Sequence, residues 1–214
     1  MAALRWHPTT RVPTEAPPDL SARTHHSRVA LERILADPRD EAAWDSLAGF
    51  YDEAAEGWDE WVDTQPWYVA PVEAGLEYAK PADVIVEVSC GSGQATPLLG
   101  PRGRLVVATD TSPAMLADAP RDLPHTCYAA VDVRRLPFRA GSVPLLVGLN
   151  AVPHLAEFAR VLASSGQLLW CTSFGAGTPL YVEPGRFADL FGADWRADGG
   201  RAGHGEWLLL TRVR

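Results

Sequence analysis

The chain has one lysine, Lys80, among 214 residues, and its formal net charge is −8. A surface so short of ammonium groups and so rich in carboxylates is a poor match for nucleic acid, whose binders present basic patches. Cysteine is scarce as well. Cys90, Cys127 and Cys171 show no C-x-x-C spacing, which argues against a zinc set or a disulfide framework and for small buried residues in a reducing compartment. No apolar run approaches the ~20 residues that cross a bilayer, and the first residues lack the apolar core of a secretory signal. A cytoplasmic protein with neither nucleic acid nor membrane as partner is expected. No G-K-[ST] string occurs either, so a P-loop is excluded.

With 47% hydrophobic residues the chain can bury one sizeable core. Its most informative segment is VIVEVSCGSG, residues 84–93, followed by VVATD at 106–110. Each apolar run reads as a buried strand that ends on an acid, Glu87 and then Asp110. Between them lies a turn with glycines at 91 and 93. In an open α/β sheet that places a glycine loop and two carboxylates at the C-terminal strand edge, where nucleotide-type ligands bind. Gly91 and Gly93 let the backbone approach a ligand and permit positive φ, and Asp110 is placed to accept from two ribose hydroxyls. The dinucleotide fingerprint needs a third small residue; here Thr96 stands in its place, with Pro97 behind. Glu87 is awkward beside a pyrophosphate and well suited to an ammonium. A ligand with a ribose at one end and an amino acid at the other fits best.

These residues resemble the class I S-adenosylmethionine-dependent methyltransferases, in particular the small-molecule, ubiquinone-biosynthesis-like branch, from about Tyr51 to the C-terminus. VEVSCGSG resembles the first motif of that family except that Ser89 replaces its first glycine. DTSPAML, 110–116, resembles the second, and Asp132 followed by Leu136, Pro137 and Phe138 resembles a third. The resemblance implies S-adenosyl-L-methionine as cofactor and a small-molecule acceptor, with room for a homodimer. It implies that Glu87 holds the methionine ammonium, that Asp110 binds the ribose, and that Met115 packs on the adenine. Asp132 and the backbone of Val133 would meet the adenine edge, while Ser89 and Thr111 would also border the cofactor. Ser89 adds a Cβ, so the loop must avoid positive φ there or shift. Pro144 stands where relatives carry an aspartate before the fourth strand, and Ser164, Ser165 and Gly166 replace a P-G-G turn. These departures leave open a cyclase, pericyclase or decarboxylase on the same scaffold, and a non-catalytic partner-binding protein.

The expected fold is α/β: a seven-stranded, mostly parallel Rossmann-like sheet with helices on both faces, a terminal antiparallel hairpin and an N-terminal helical cap. Candidate strands fall at 83–88, 104–109, 125–131, 143–149, 166–173, 193–198 and 206–213. Residues 1–26, with four prolines and little periodicity, read as an extended or disordered arm. Residues 27–80 read as the cap, and 81–214 as the core. The adjacent His25 and His26 have no second ligand cluster, so no metal site is expected.

The cap carries Trp44, Trp58, Trp61 and Trp67 beside Tyr51 and Tyr68. Trp44 and Trp61 read as glue between cap and core. Trp58 reads as an aromatic face near the sulfonium, where cation–π attraction contributes ~0.5–2 kcal/mol. Tyr51 and Trp67 read as acceptor contacts, joined from the segment after the fifth strand by Phe174 and Tyr181. Methyl transfer from a sulfonium needs alignment above all, and an alcohol or phenol acceptor also gains from a base. His154, in LNAVPHL after the fourth strand, is the candidate base, and Asn150 in the same loop a candidate cofactor contact. Together these point to methylation at O or N of an aromatic or polyketide-like metabolite, a natural-product type of chemistry.

Overall fold

The computed structural model describes residues 4–213. Eight strands form one sheet: β1 (Leu4–Trp6), β2 (Ala82–Val88), β3 (Gly103–Asp110), β4 (Thr126–Ala130), β5 (Val143–Leu149), β6 (Leu162–Thr172), β7 (Trp195–Ala202) and β8 (Gly205–Arg212). The order across the sheet is β1-β7-β8-β6-β5-β2-β3-β4. The run β6-β5-β2-β3-β4 is parallel. β8 is antiparallel to both β6 and β7, which closes the sheet with a hairpin.

Side chains alternate across the pleat. Val86 and Val88 enter one apolar layer with Leu146, Leu168 and Trp170, and the helices α1 (His26–Ala36), α2 (Glu41–Ala54), α7 (Leu155–Val161) and α8 (Pro184–Phe191) cover it. Ile85 enters the other layer with Leu145, Val147 and Leu169, under α3 (Trp58–Asp63), α4 (Ala70–Leu76) and α5 (Thr96–Leu99). A short α6 (Pro113–Asp118) follows β3. Its N-cap is Ser112, whose Oγ accepts from the Met115 N–H at 3.1 Å, with Pro113 preset for the first turn. α2 is likewise capped by Asp40, which accepts from Ala43 N–H at 3.1 Å, and it runs on through Gly49.

The arm adds a strand to the expected seven, and Pro144 sits within the expected strand at an irregularity. The arm is not wholly without structure: Leu4–Trp6 adds an eighth strand, parallel to β7. Thr10 then bridges Ala202, and Arg11 reaches Glu73 at 2.5 Å. Three residues are too few to show a period of two, so the strand left no pattern to read. Pro144 lies inside β5 where the register with β6 shifts between Val143 and Leu145. A residue with no N–H donor is tolerated at such an irregularity.

Candidate functional site

The C-terminal tips of β2, β3, β4 and β5 open on a cavity of about 380 Å³, roofed by α2, α3 and the segment just before α1. The loop after β2 shapes its floor. Ser89 and Gly91 both have positive φ, at 53° and 56°. Ser89 thus keeps the left-handed turn despite its Cβ, at a cost of roughly 1–2 kcal/mol. Gly91 has open space above it: an added Cβ would meet Gln94 Oε1 at 3.7 Å, Met115 Sδ at 3.9 Å and Trp58 Nε1 at 4.0 Å. A side chain there would fill the cradle.

Two acids stand at this floor. Asp110, at the end of β3, is 9% exposed. Its Oδ2 accepts from Gly91 N–H at 2.8 Å and its Oδ1 from Ser112 N–H at 2.9 Å. The carboxylate is therefore aimed by the backbone of two loops while it still lines the cavity. Burial raises its pKa, assisted by the charge of Asp52, against the lowering effect of the amides. Glu87 is 1% exposed, and Thr96 Oγ1 donates to its Oε2 at 2.6 Å. Burial pushes it up to about 7, with Asp110 adding to the rise and Thr96 opposing it. Among the described residues Glu87 has no cationic partner, so a buried acid faces the cavity without a counter-charge.

The cap is tied to this floor through its own acids. Ser112 Oγ donates to Asp52 of α2 at 2.6 Å. On α3, Asp59 accepts from Ser92 Oγ and from Gln94 Nε2, the latter at 2.6 Å. At the β4 tip, Asp132 and Val133 line the cavity. Arg134 donates to the Asp132 carboxylate through Nε and, at 2.7 Å, Nη2, and its guanidinium lies 5.4 Å from the Trp44 ring centroid. Burial works to raise the Asp132 pKa, but the hydrogen bonds and charge of Arg134 prevail and the net shift is downward.

A run of aromatic contacts forms the opposite wall: Tyr51 against Trp58 at 5.8 Å, Trp58 against Trp61 at 5.4 Å, and Trp61 and Tyr68 each against Phe174. Burial pushes the Tyr51 phenol up to about 12 and raises that of Tyr68 as well, so both stay protonated at neutral pH. Arg28 of α1 holds the segment after β6 in place by donating to the Tyr181 and Thr178 carbonyls at 2.6 and 2.9 Å.

Most of the residues expected from the sequence meet at this cavity: Glu87, Ser89, Gly91, Asp110, Thr111, Met115, Asp132, Val133, Asn150, Trp58, Tyr51 and Phe174 all line it. Asn150 has a second task. Its Nδ2 donates to Ser173 Oγ and its Oδ1 accepts from Ser173 N–H, both at 2.8 Å, which clamps the tips of β5 and β6 together.

Four expected residues are placed elsewhere. His154 does not line the cavity; it precedes α7, and its ring lies 6.2 Å from Trp44. Burial lowers its pKa against the opposing charges of Glu157 and Asp132. Trp67 donates from Nε1 to Glu15 of the N-terminal arm and packs on the β7–β8 turn at Gly203. Tyr181 donates to Glu206 at 3.1 Å under the Arg28 guanidinium. Gly93 is spared a side chain for packing instead: a Cβ there would stand 3.1 Å from Pro120 and 3.2 Å from Tyr128.

Further residues complete the lining. Tyr68, Leu20 and His25 line the cavity, and so do Trp44 and Trp61, which serve as glue and wall together. The irregular turns at Leu20 and between α3 and α4 decide which of these side chains face inward. Nothing in local composition encodes that choice.

A family profile described as a methyltransferase domain matches residues 86–170, from the middle of β2 into β6. The match takes in the glycine loop, both strand-end acids and the tips of β3, β4 and β5. Among curated relatives, the chain is 31% identical over 146 residues to the demethylmenaquinone methyltransferase of Beutenbergia cavernae, covering 62% of this chain and 58% of that protein. It is 38% identical over 109 residues to the trans-aconitate 2-methyltransferase of Methylobacterium nodulans, covering 46% and 41%. The chain thus spans about half the length of the curated relatives it matches. The fold resembles that of the DhpI–SAH complex, with a TM-score of 0.63 at 16% identity over 77% of this chain and 94% of that one.

Proposed function

We propose that this protein methylates an O or N atom of a small, flat, uncharged acceptor. The observation that carries this reading is the continuity of one cavity from two buried carboxylates to an aromatic wall. The residues present fit S-adenosylmethionine as cofactor: Asp110 is held by loop amides with its carboxylate at the cavity, and Glu87 is a buried acid without a counter-cation among the described residues. The open cradle above Gly91 lies between Met115 and Trp58. When bound there, the cofactor supplies a methyl group already activated on a sulfonium.

The chain's own residues then do three things. Glu87 would hold the ammonium of the cofactor and Asp110 its ribose hydroxyls. Trp58 and Tyr51 present aromatic faces that favour a cation. Tyr68, Trp61 and Phe174 hold a flat acceptor in line and exclude water, and alignment of this kind can supply ~7–11 kcal/mol of a displacement barrier.

Charge argues for an uncharged acceptor. The lining residues include Asp45, Glu56, Glu87, Asp110 and Asp132 but a single cationic side chain, Arg134, already paired with Asp132. A polycarboxylate such as the one named for the Methylobacterium relative would enter a field of its own sign. With His154 outside the cavity, no positioned histidine base is assigned, and an uncharged acceptor that is nucleophilic without one, such as an aromatic amine, suits the site best. Release of S-adenosylhomocysteine should be measured with uncharged phenols and anilines beside aliphatic carboxylates. Turnover confined to the aromatic set is expected; turnover confined to the carboxylates, or none with any acceptor, would contradict the reading.

A further inference from the structure

His25 is a polar group of the cavity that the reading above leaves without a task. It lines the cavity just before α1, beside Leu20. Its Nδ1 accepts from the Ser27 backbone N–H at 3.1 Å, capping the helix. An amide N–H can only donate, so Nδ1 carries the lone pair and the proton of the neutral ring sits on Nε2. Among the described residues, Nε2 has no hydrogen-bond partner. The ring is held edge-on to Phe50 at 5.3 Å and 86°. His26 stacks on the same Phe50 at 5.3 Å and is bound to Ser46 Oγ at 2.9 Å. Burial, and after it the charge of His26, keeps the His25 pKa below the ordinary histidine value, so the ring stays neutral at pH 7. Other side-chain amide and guanidinium donors at the cavity are spent on the protein: Asn150 on Ser173, Gln94 on Asp59, Arg134 on Asp132.

We propose that His25 is a positioning residue whose Nε2–H donates a hydrogen bond to the acceptor, which selects flat molecules bearing a carbonyl or similar accepting oxygen. This rests on the acceptor site proposed above and narrows its substrate class. A base role does not fit, because proton uptake at Nε2 requires the other tautomer and the loss of the Ser27 bond. Asparagine at 25 retains an oxygen able to cap the helix but removes the distal donor, whereas glutamine retains a distal N–H.

The test uses the full chain saturated with S-adenosylhomocysteine and two near-isosteric probes at pH 6.5, 7-hydroxycoumarin, which has a carbonyl, and 2-naphthol, which has none. The wild-type protein should prefer the coumarin by ~5–10-fold, the value of one net hydrogen bond. His25→Asn should bring the ratio to about one, and His25→Gln should restore part of it, with S-adenosylhomocysteine affinity unchanged in both. Nitrogen-15 shifts of the His25 ring should report the Nε2–H tautomer. An unchanged preference in His25→Asn, an Nδ1–H tautomer, or millimolar failure of both probes overturns the proposal. Loss of S-adenosylhomocysteine binding by the wild-type protein would instead overturn the cofactor reading beneath it.

Discussion

At the strand-tip end of the cavity, the groups facing inward are backbone turns and carboxylates at the ends of β2, β3 and β4. At the cap end they are aromatic side chains held by one another and by a few bridges such as Asp52–Ser112 and Asp59–Gln94. The first end is built by the sheet, which is buried and rigid in register. The second is built by short helices and turns whose positions depend on packing. The contrast teaches that the strand-tip end should respond to single substitutions sharply and specifically, and the cap end in a graded way.

The largest effect should come from Asp110→Ala. It removes the proposed sugar contact and leaves the Gly91 and Ser112 amides unpaired, each at ~1–3 kcal/mol when buried. Calorimetric titration should show S-adenosylhomocysteine affinity reduced by at least ~100-fold, since two hydrogen bonds to a charged group are lost at ~1.5–3 kcal/mol each. Retained affinity would place the sugar elsewhere.

Glu87→Gln should come next, and its effect has two signs. The folded-state pKa of Glu87 is about 7, raised above the ordinary value by burial. The folded protein therefore holds a proton that the unfolded chain has lost between about pH 4.5 and 7, and this group makes the ligand-free protein less stable as pH rises through that window. Chemical denaturation at pH 8 should find Glu87→Gln more stable than the wild type by a few kcal/mol, an order-of-magnitude figure. The gain should vanish by pH 4, where both states are protonated, while cofactor affinity falls.

Much of the strand-tip end was legible because its chemistry is carried by local strings. An apolar run ending on Glu87, a glycine turn and DTSPAML each report their own geometry, and β2 and β3 lie where the periodicity puts them. What was not legible involves longer-range packing. Trp67 and Tyr68 are neighbours in sequence, but one meets the N-terminal arm and the other lines the cavity. His154 was expected at the cavity from its place after β5, yet Trp44 and Val152 line the cavity there in its stead. The three-residue β1 gave no signal, since its pairing with β7 depends on a contact nearly two hundred residues away.

At the cap, Trp58→Ala should weaken S-adenosylhomocysteine binding modestly and S-adenosylmethionine binding more, because only the latter carries the sulfonium whose cation–π attraction is worth ~0.5–2 kcal/mol. Trp67→Ala should leave both affinities unchanged, and equal losses in the two variants would erase the distinction between wall and arm contact. The smallest effect should come from Ser89→Gly. It relieves a positive φ at 53° while adding chain entropy to the unfolded state, so Tm should rise by ~2–4 °C for a net gain of about 1 kcal/mol.

The central claim is that a ligand with an ammonium group settles against the buried Glu87 while Asp110 grips its sugar. Titration of the wild-type protein with S-adenosylhomocysteine between pH 5.5 and 8.5 tests it most directly. Affinity should climb as pH rises through about 7, where Glu87 gives up its proton, and then level off. Affinity that is flat across this range, or that falls with rising pH, would contradict the account.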